Sequence, residues 1–303
     1  MNKLSVRKFT PLFLLLHFFI GTTALADPLL TAPTDPKPPL RIGEYDGYQA
    51  SGDIRRFKNE QLLIDISFLW FENAATARVE LRENEDGSFT ASLEAETKGF
   101  VGFFTAYRRH FYQAQFNVVD NGKRFRSRKF VRQVTIGGSV EKTVNFLDYN
   151  SRLNKWYKMS DDEVIEKGSR EIPEGVQFDD ILAAFYNFRN NAYGEIRKDS
   201  DYVINTIPEK NTAQFKVHIM NAEEEAALRK LQQRPLQDEL ALKVIIPPEI
   251  FKTTHGELTF WSSKHLIPVE TTVEDYILLG DLHAVLKERK ILQPVKSLQR
   301  QRD

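Results

Sequence analysis

The sequence predicts a mainly β (α+β) fold, in which a strongly curved antiparallel sheet or half-barrel carries one or two short helices packed on it. Apolar and polar residues alternate with period two in many segments of the 303-residue chain. The connections between these segments are short and contain Gly, Asn and Asp, which favours antiparallel neighbours. Helical patterns are few and short, which disfavours a parallel βαβ arrangement.

The N-terminus has the features of a secretory signal peptide over residues 1–26. Three basic residues come first, and an apolar run over residues 11–20 follows, too short to span a bilayer. Small residues at Ala24 and Ala26 then form a cleavage site. We therefore expect cleavage after Ala26 and a periplasmic location, with no transmembrane segment in the mature chain. Residues 27–59 form a Pro-rich N-terminal extension.

Strand patterns begin at Leu62. In residues 62–71 every second residue is Leu, Ile, Phe or Trp, as in a strand with one buried face. The predicted strands cover about 62–71, 77–82, 89–96, 110–119, 123–136, 140–149, 153–158, 201–207, 213–220, 239–246, 256–262, 266–274 and 276–286. With short loops between them, these strands predict a single β-rich domain over residues 60–290, followed by a basic polar tail at 291–303.

Two helices interrupt the strands. Asp179 and Asp180 are typical caps for a helix from Ile181 to about Arg189. The spacing predicts that Phe185 and Phe188 face the sheet, whereas Asn187 and Asn190 face outward. A second helix, over residues 223–233 and ended by Pro235, is an insertion near 222–234.

Several of these motifs resemble the family of exported bacterial proteins known as domain of unknown function 3108 (DUF3108). Residues 179–189 are similar to its Asp-x-Leu-Ser-Ala-x-Tyr-x-x-Arg helix, and residues 258–269 to its tryptophan-containing hairpin. Residues 63–68 and 280–282 resemble its first and closing strands. Ala183 stands where the family usually has Ser, and Lys264-His265 stands where an Asp-containing turn is usual. The resemblance implies an exported β-rich domain of a Gram-negative bacterium with no established activity.

Charge and cysteine content exclude several classes of function. Basic and acidic residues number 42 each, and removing the leader, with Lys3, Arg7 and Lys8, leaves 39 basic residues against 42 acidic ones. This balance argues against a nucleic-acid partner. Because the chain has no cysteine, disulfides, thiolate metal sites and cysteine nucleophiles are excluded.

Motifs for catalysis, a cofactor or a metal are absent from the sequence. It contains no Gly-x-Ser-x-Gly nucleophile elbow and no P-loop. His255 and His265 could meet across the predicted 256–274 hairpin and hold a metal, but turn and surface positions are the simpler explanation. We therefore assign no catalytic, cofactor-binding or metal-binding residue.

Two segments are candidates for ligand binding. Arg124, Arg126 and Arg128 share one face of a predicted strand, where they could hold an anionic head group or simply form a solvated face that prevents edge aggregation. Phe103, Phe104 and Tyr107 lie in an unusually aromatic connection, which could fill the open side of the sheet or bind an acyl chain. If an amphipathic ligand exists, we expect its tail near these aromatic residues and its head near the three arginines.

The sequence thus favours an exported, non-catalytic periplasmic binding or envelope-assembly protein, whose partner is a lipid or a cell-envelope protein. A hydrolase-type enzyme with an unrecognised site is the alternative, and a purely structural envelope protein is a third. Converging histidine and carboxylate side chains in one pocket would indicate the enzyme. A continuous apolar trough lined by Phe and Leu would indicate the carrier.

Overall fold

A computed structural model describes residues 51–68, 71–209, 212–251, 253–276 and 280–293, all of which belong to the unit Leu40–Asp303. The predicted signal peptide, most of the Pro-rich extension, Trp70 and most of the basic tail lie outside the described residues.

Fourteen strands in the described ranges form one antiparallel sheet. They are β1 (Glu60–Phe68), β2 (Phe71–Glu83), β3 (Phe89–Thr97), β4 (Arg109–Val119), β5 (Arg124–Ile136), β6 (Ser139–Asp148), β7 (Leu153–Ser160), β8 (Glu163–Glu171), β9 (Ser200–Glu209), β10 (Thr212–Ile219), β11 (Glu239–Ile245), β12 (Glu257–Ser263), β13 (Pro268–Tyr276) and β14 (Gly280–Ile291). The helices are α1 (Gly99–Phe104), α2 (Ile181–Arg189), α3 (Ala222–Leu231) and α4 (Pro248–Phe251).

The sheet consists of two meanders joined at the middle. The spatial order runs β8-β7-β6-β5-β4-β3-β2-β1-β14-β13-β12-β11-β10-β9. Strand β1 pairs with β14, so the first and last strands of the domain lie side by side. Strands β8 and β9 are the edges, and the described strands do not close into a barrel. The predicted mainly β, antiparallel fold with short helices is confirmed.

The sequence pattern did not predict strand β8. Nearly all of its residues are exposed, so neither face produces an apolar alternation. It pairs with β7 from Leu153↔Glu171 to Ser160↔Glu163. Backbone pairing and an exposed ion pair between Lys158 and Glu166 at 2.8 Å hold this edge strand, and neither produces a hydrophobic pattern in the sequence.

Helix α2 lies on one face of the sheet, and its N-terminus is fixed as expected. The Asp180 carboxylate accepts hydrogen bonds from the backbone N–H groups of Leu182 and Ala183 at 2.8 and 3.1 Å. The preceding segment runs beside the edge strand β9, where the Asp179 N–H donates to the Asn205 carbonyl at 2.9 Å. The helix therefore packs at a fixed position over the large core cluster of the sheet.

The predicted orientation of α2 was wrong for its asparagines. Asn187 is 0% exposed and Asn190 is 1% exposed, whereas Phe185 and Phe188 are only partly buried. Strand β6 pairs with β5 only from Lys129 onward, so no strand lies on that side of Phe125. The Asn187 side-chain amide takes this place: its oxygen accepts from the Phe125 N–H at 2.8 Å and its nitrogen donates to the Phe125 carbonyl at 2.9 Å.

Helix α3, predicted at residues 223–233, packs on the other face of the sheet from α2. Its Leu228 side chain contacts a cluster formed by Ala241, Trp261 and Val269. Strand residues alternate between the faces, and the neighbours of Trp261 on β12 point toward α2. The guanidinium of Arg229 stacks on the Trp261 ring at 4.4 Å. The insertion thus covers the part of the outer face around Trp261, whereas α2 lies on the inner face.

No helix in the described part of the chain is long and apolar enough to cross a membrane.

Candidate ligand-binding site

An apolar cavity of about 330 Å³ lies between α2 and the inner face of the sheet. Helix α2 lines it with Ile181, Ala184, Phe185 and Phe188. Most of the remaining wall is aliphatic or aromatic, and includes Ile64, Ala77, Leu93, Phe215, Phe260 and Val273. This continuous apolar trough, lined by Phe, Leu and Ile side chains, is the feature that the sequence analysis associated with a carrier.

The cavity exists because α2 is held to one side and small residues face it on the other. Asn190 donates from its side-chain amide to the backbone carbonyls of Gly52 and Lys123 at 2.9 and 2.8 Å. Together with Asn187, it fixes the polar side of α2 toward the start of β5. Across from the opposite side of α2, several inward positions of the sheet are alanines, namely Ala75 and Ala77 on β2, Ala95 on β3 and Ala284 on β14.

One end of the cavity is closed by buried charges. Arg189, at the end of α2, donates to both carboxylate oxygens of Glu60 at 2.7 and 3.0 Å and to the Leu266 carbonyl at 3.0 Å. Arg289 donates to the same Glu60 carboxylate at 2.7 Å. The Arg189 guanidinium also lies 4.6 Å from the centre of the Phe57 ring. These contacts hold the C-terminal end of α2 against β1 and the β12–β13 turn.

Polar residues line the cavity at the opposite end, beside α1. Glu96 and Thr97 at the end of β3, together with Arg108 and His110, form this part of the wall. The Arg108 Nε is buried and has no hydrogen-bond partner in the described part of the chain. His110 Nδ1 lies 3.3 Å from the hydroxyl of Tyr112. This end therefore presents charged and polar groups to the head of an amphipathic molecule.

The aromatic residues Phe103, Phe104 and Tyr107, which the sequence analysis assigned to a ligand tail, lie on or just after α1 with their side chains exposed. They are not part of the cavity wall, to which the segment contributes Val101 instead.

All three arginines lie on β5, and each contacts other protein groups. Arg124 donates to Asp179 at 2.7 Å, the Arg126 guanidinium stacks over the Tyr149 ring at 4.9 Å, and Arg128 donates to the Ser88 hydroxyl at 3.2 Å. These contacts hold the three side chains in place, and their role toward a ligand stays a prediction.

The expected proximity of the aromatic and arginine segments was wrong. Helix α1 precedes the start of β4, whereas Arg124 pairs with Val119 at the end of β4. Arg124 is separated from α1 by the length of that eleven-residue strand, roughly 35 Å at 3.4 Å per residue. A tight turn joins β4 to β5, but it lies at the far end of the sheet from α1.

The acidic pair before α2 anchors the helix. Asp179 accepts hydrogen bonds from Tyr193 at 2.5 Å and from Gln177 at 2.6 Å, in addition to Arg124. Burial and then the Asp179 carboxylate raise the pKa of Tyr193. Burial is the largest single influence on the pKa of Arg124 and lowers it, but Asp179, Tyr193 and Asp120 together outweigh burial and raise the pKa of that guanidinium.

Asp180 is fully buried and bonded to the Ser127 hydroxyl. Burial raises the pKa of the Asp180 carboxyl to about 7, although the hydrogen bonds from Ser127 and from the first turn of α2 oppose the shift. Its observed contacts are those of a helix cap, as the sequence predicted.

The histidine pair considered from the sequence does not come together. His255 precedes β12 and His265 follows it, so the two residues lie at opposite ends of that strand. Among the described residues, no group of three or more His, Cys, Asp or Glu side chains is placed to hold a metal ion.

Comparison with known proteins adds one structural likeness. No protein-family model matches the chain, and no curated protein matches it at a significant level. The chain is similar to the crystal structure of a beta-barrel-like protein of domain of unknown function DUF1849 from Brucella abortus, with 10% sequence identity and a TM-score of 0.44. The match covers 77% of this chain and 98% of that one.

The cavity residues were not identified from the sequence, although a signal was present. Alternating strands normally place Val, Ile, Leu or Phe at inward positions, and β2 places Ala75 and Ala77 there instead. Ala95 on β3 repeats the pattern beside them. Small inward residues on adjacent strands indicate either that a helix packs closely against the sheet or that the space above them is empty. Which of the two occurs depends on how distant strands pair, and the local sequence does not show this.

Proposed function

We propose that this protein is an exported, non-catalytic binding protein that holds an apolar chain, such as the acyl chain of a lipid, in the cavity between α2 and the sheet. The observation that carries the proposal is the cavity itself, with a volume of about 330 Å³ and a largely apolar wall. Ligand-binding pockets occupy roughly 300–1,000 Å³. Each methylene buried there would contribute about 0.8 kcal/mol.

The polar wall supports one orientation of the ligand. The Arg189 N–H groups at one end donate to Glu60 and Leu266. At the other end, the buried Nε of Arg108 has no hydrogen-bond partner in the described ranges. A buried donor of this kind is costly unless it finds an acceptor, so a carboxylate or phosphate head group fits at the α1 end. This orientation replaces the one that placed the head near Arg124, Arg126 and Arg128.

Export and membership of the DUF3108 family are part of the proposal. The charged start, short apolar run and Ala24-x-Ala26 site support cleavage after Ala26 and a periplasmic mature protein. The intact mass of the secreted form tests this directly, and a mature chain that retains Met1 would contradict it.

Binding is tested with a fluorescent fatty acid and two matched variants on β14. Ala284 lines the cavity, whereas Val285 is the next residue and points to the exposed outer face. Ala284→Phe fills the cavity and should weaken binding by roughly tenfold or more, because the volume for several methylenes is lost. Val285→Phe adds a comparable ring on the outside and should leave the affinity unchanged.

Two results would contradict the proposal. Either no acyl probe binds the native protein above background, or both variants bind it equally well. Native mass spectrometry of protein purified from its own periplasm would identify a co-purifying lipid by mass.

A further inference from the structure

Helix α1 presents an aromatic surface to solvent. The exposed fractions of its side chains are 62% for Phe100, 68% for Phe103 and 67% for Phe104, and Tyr107 just after the helix is 56% exposed. We refer to these four residues as the α1 aromatic patch. Four large aromatic side chains exposed in eight successive residues are unusual for a protein surface, where single exposed apolar residues are normal.

The patch is held in place by its backbone. The Tyr107 N–H donates to the Gly102 carbonyl at 2.6 Å, and the Gly137 N–H donates to the Ala106 carbonyl at 2.8 Å. Ala106 and Tyr107 both have left-handed backbone conformations, with φ of 53° and 48°. Such conformations are unfavourable for residues other than glycine and persist where the surrounding structure requires them. The rings are therefore displayed by a defined turn.

The patch is continuous with the cavity through a chain of ring contacts. Ring centres lie 5.4 Å apart for Phe103 and Phe104, 4.4 Å for Phe104 and Phe100, and 5.6 Å for Phe100 and Phe71. Phe71 lies 5.5 Å from Phe68, which lines the cavity. A row of apolar rings therefore leads from the surface at α1 to the cavity, beside the polar residues that line this end of its wall.

Basic residues flank the patch on both sides. Lys98 precedes α1 and is exposed, while Arg108 and Arg109 directly follow Tyr107. Arg109 is 3.5 Å from Glu96, an exposed pair of the kind that contributes little in water. Aromatic side chains between Lys and Arg residues are typical of segments that lie in the interface of an anionic membrane.

We propose that the α1 aromatic patch docks on the surface of an anionic phospholipid membrane and that the acyl chain passes between membrane and cavity at this point. The exchange step rests on the proposed function of the cavity, whereas docking can be measured without it. Phe103 and Phe104 insert among the head groups, and Lys98 lies at the level of the phosphates.

Docking is tested by sedimenting the mature protein with vesicles of phosphatidylcholine alone and of phosphatidylcholine mixed with phosphatidylglycerol. Replacing both Phe103 and Phe104 by Ser should weaken association with the mixed vesicles by roughly tenfold or more. The matched control replaces two apolar residues exposed elsewhere, Phe146 on β6 and Ile165 on β8, by Ser and should leave association unchanged.

The electrostatic part is tested by charge reversal. Lys98→Glu should weaken association with the mixed vesicles by about fivefold or more, since each basic residue near an anionic surface contributes about 1 kcal/mol. The effect should shrink as salt is added. Lys167→Glu changes the same charge on the edge strand β8 and should have no effect.

Binding of the fluorescent fatty acid in solution separates the two proposals. The Phe103/Phe104 double variant should bind the soluble probe like the native protein but take it up more slowly from mixed vesicles. Native protein that fails to associate with mixed vesicles would overturn docking, whatever the soluble probe shows. A double variant that loses soluble-probe affinity would also overturn it, because the rings would then belong to the binding site. Ala284→Phe should still sediment with vesicles.

Discussion

Asn187→Ala should lower the free energy of unfolding by about 2–4 kcal/mol, although the residue is a polar side chain on a helix next to a cavity. In the structure its amide replaces a missing strand partner of Phe125. The substitution orphans the Phe125 N–H in the core, which costs about 1–3 kcal/mol, and removes one further hydrogen bond worth about 0.5–1.5 kcal/mol. The Phe125 carbonyl still accepts a hydrogen bond from the Gln177 side-chain amide at 2.9 Å, which limits the loss of stability.

Phe185→Ala provides the comparison. Phe185 lines the cavity and is only partly buried, so its ring already lacks neighbours on one side. We expect a loss of about 1.5–3 kcal/mol, below the value for a fully packed phenylalanine. It should also change the affinity for the acyl probe, which Asn187→Ala should leave close to the native value.

The assay is urea denaturation followed by tryptophan fluorescence, with the m-value compared among variants. Asn117 is exposed on β4, and Asn117→Ala should stay within about 0.5 kcal/mol of the native protein. If Asn187→Ala also stays within that margin, the position of α2 against β5 is wrong.

Three further variants test other parts of the structure. Glu60→Gln should lower the free energy of unfolding by about 3–5 kcal/mol, because two buried guanidinium groups lose their counter-charge. Arg189→Met should lower it less, because Arg289 still pairs with Glu60; urea denaturation that gives the reverse order would contradict this. Gly256→Ala should lower the free energy of unfolding by well over the roughly 1–2 kcal/mol that a left-handed backbone costs a non-glycine residue, because the new Cβ would lie 2.0 Å from the Ile246 carbonyl oxygen. Gly87 has a similar φ but open space around it, so Gly87→Ala should show only the backbone cost; equal losses in thermal unfolding would refute the clash. Burial raises the pKa of Asp180 from 3.8 to about 7, so between these pH values the folded protein holds a proton that the unfolded chain has lost. The free energy of unfolding should therefore fall as the pH rises from about 4 to about 7. Asp180→Asn should remove this pH dependence, and an unchanged dependence would assign it to another group.

The strands were predictable because each leaves a local signal. Alternation in β1 placed Leu62, Ile64 and Ile66 on one face, and all three line the inner side of the sheet. Hairpins such as the one at Gly87 join strands that pair in the structure. Strand β8 left no such signal, because its residues are exposed on both faces. Local patterning thus defined the sheet wherever one face is buried.

The position of α2 could not be read from local pattern, because it depends on where a distant strand loses its partner. Asn187 is polar, and a helix that covers a sheet normally turns polar residues to water. Here β6 stops pairing at Lys129, and the buried backbone of Phe125, which lacks a strand partner on that side, needs a donor and an acceptor. An asparagine supplies both. The register of β5 and β6 is a property of the whole sheet, so the sequence of the helix alone cannot reveal it.

The same long-range dependence explains why the cavity was missed and why it lies beside α1. A helix of nine residues reaches about 13 Å, whereas β1 alone, also of nine residues, extends roughly 30 Å. The helix is held by Asn187 at one flank and by Arg189 at the end where Glu60 lies, so it cannot cover the inner face near α1. The alanines at Ala77 and Ala284 leave that space unfilled. The opening toward the α1 aromatic patch follows from the short length of α2 and the place where it is anchored.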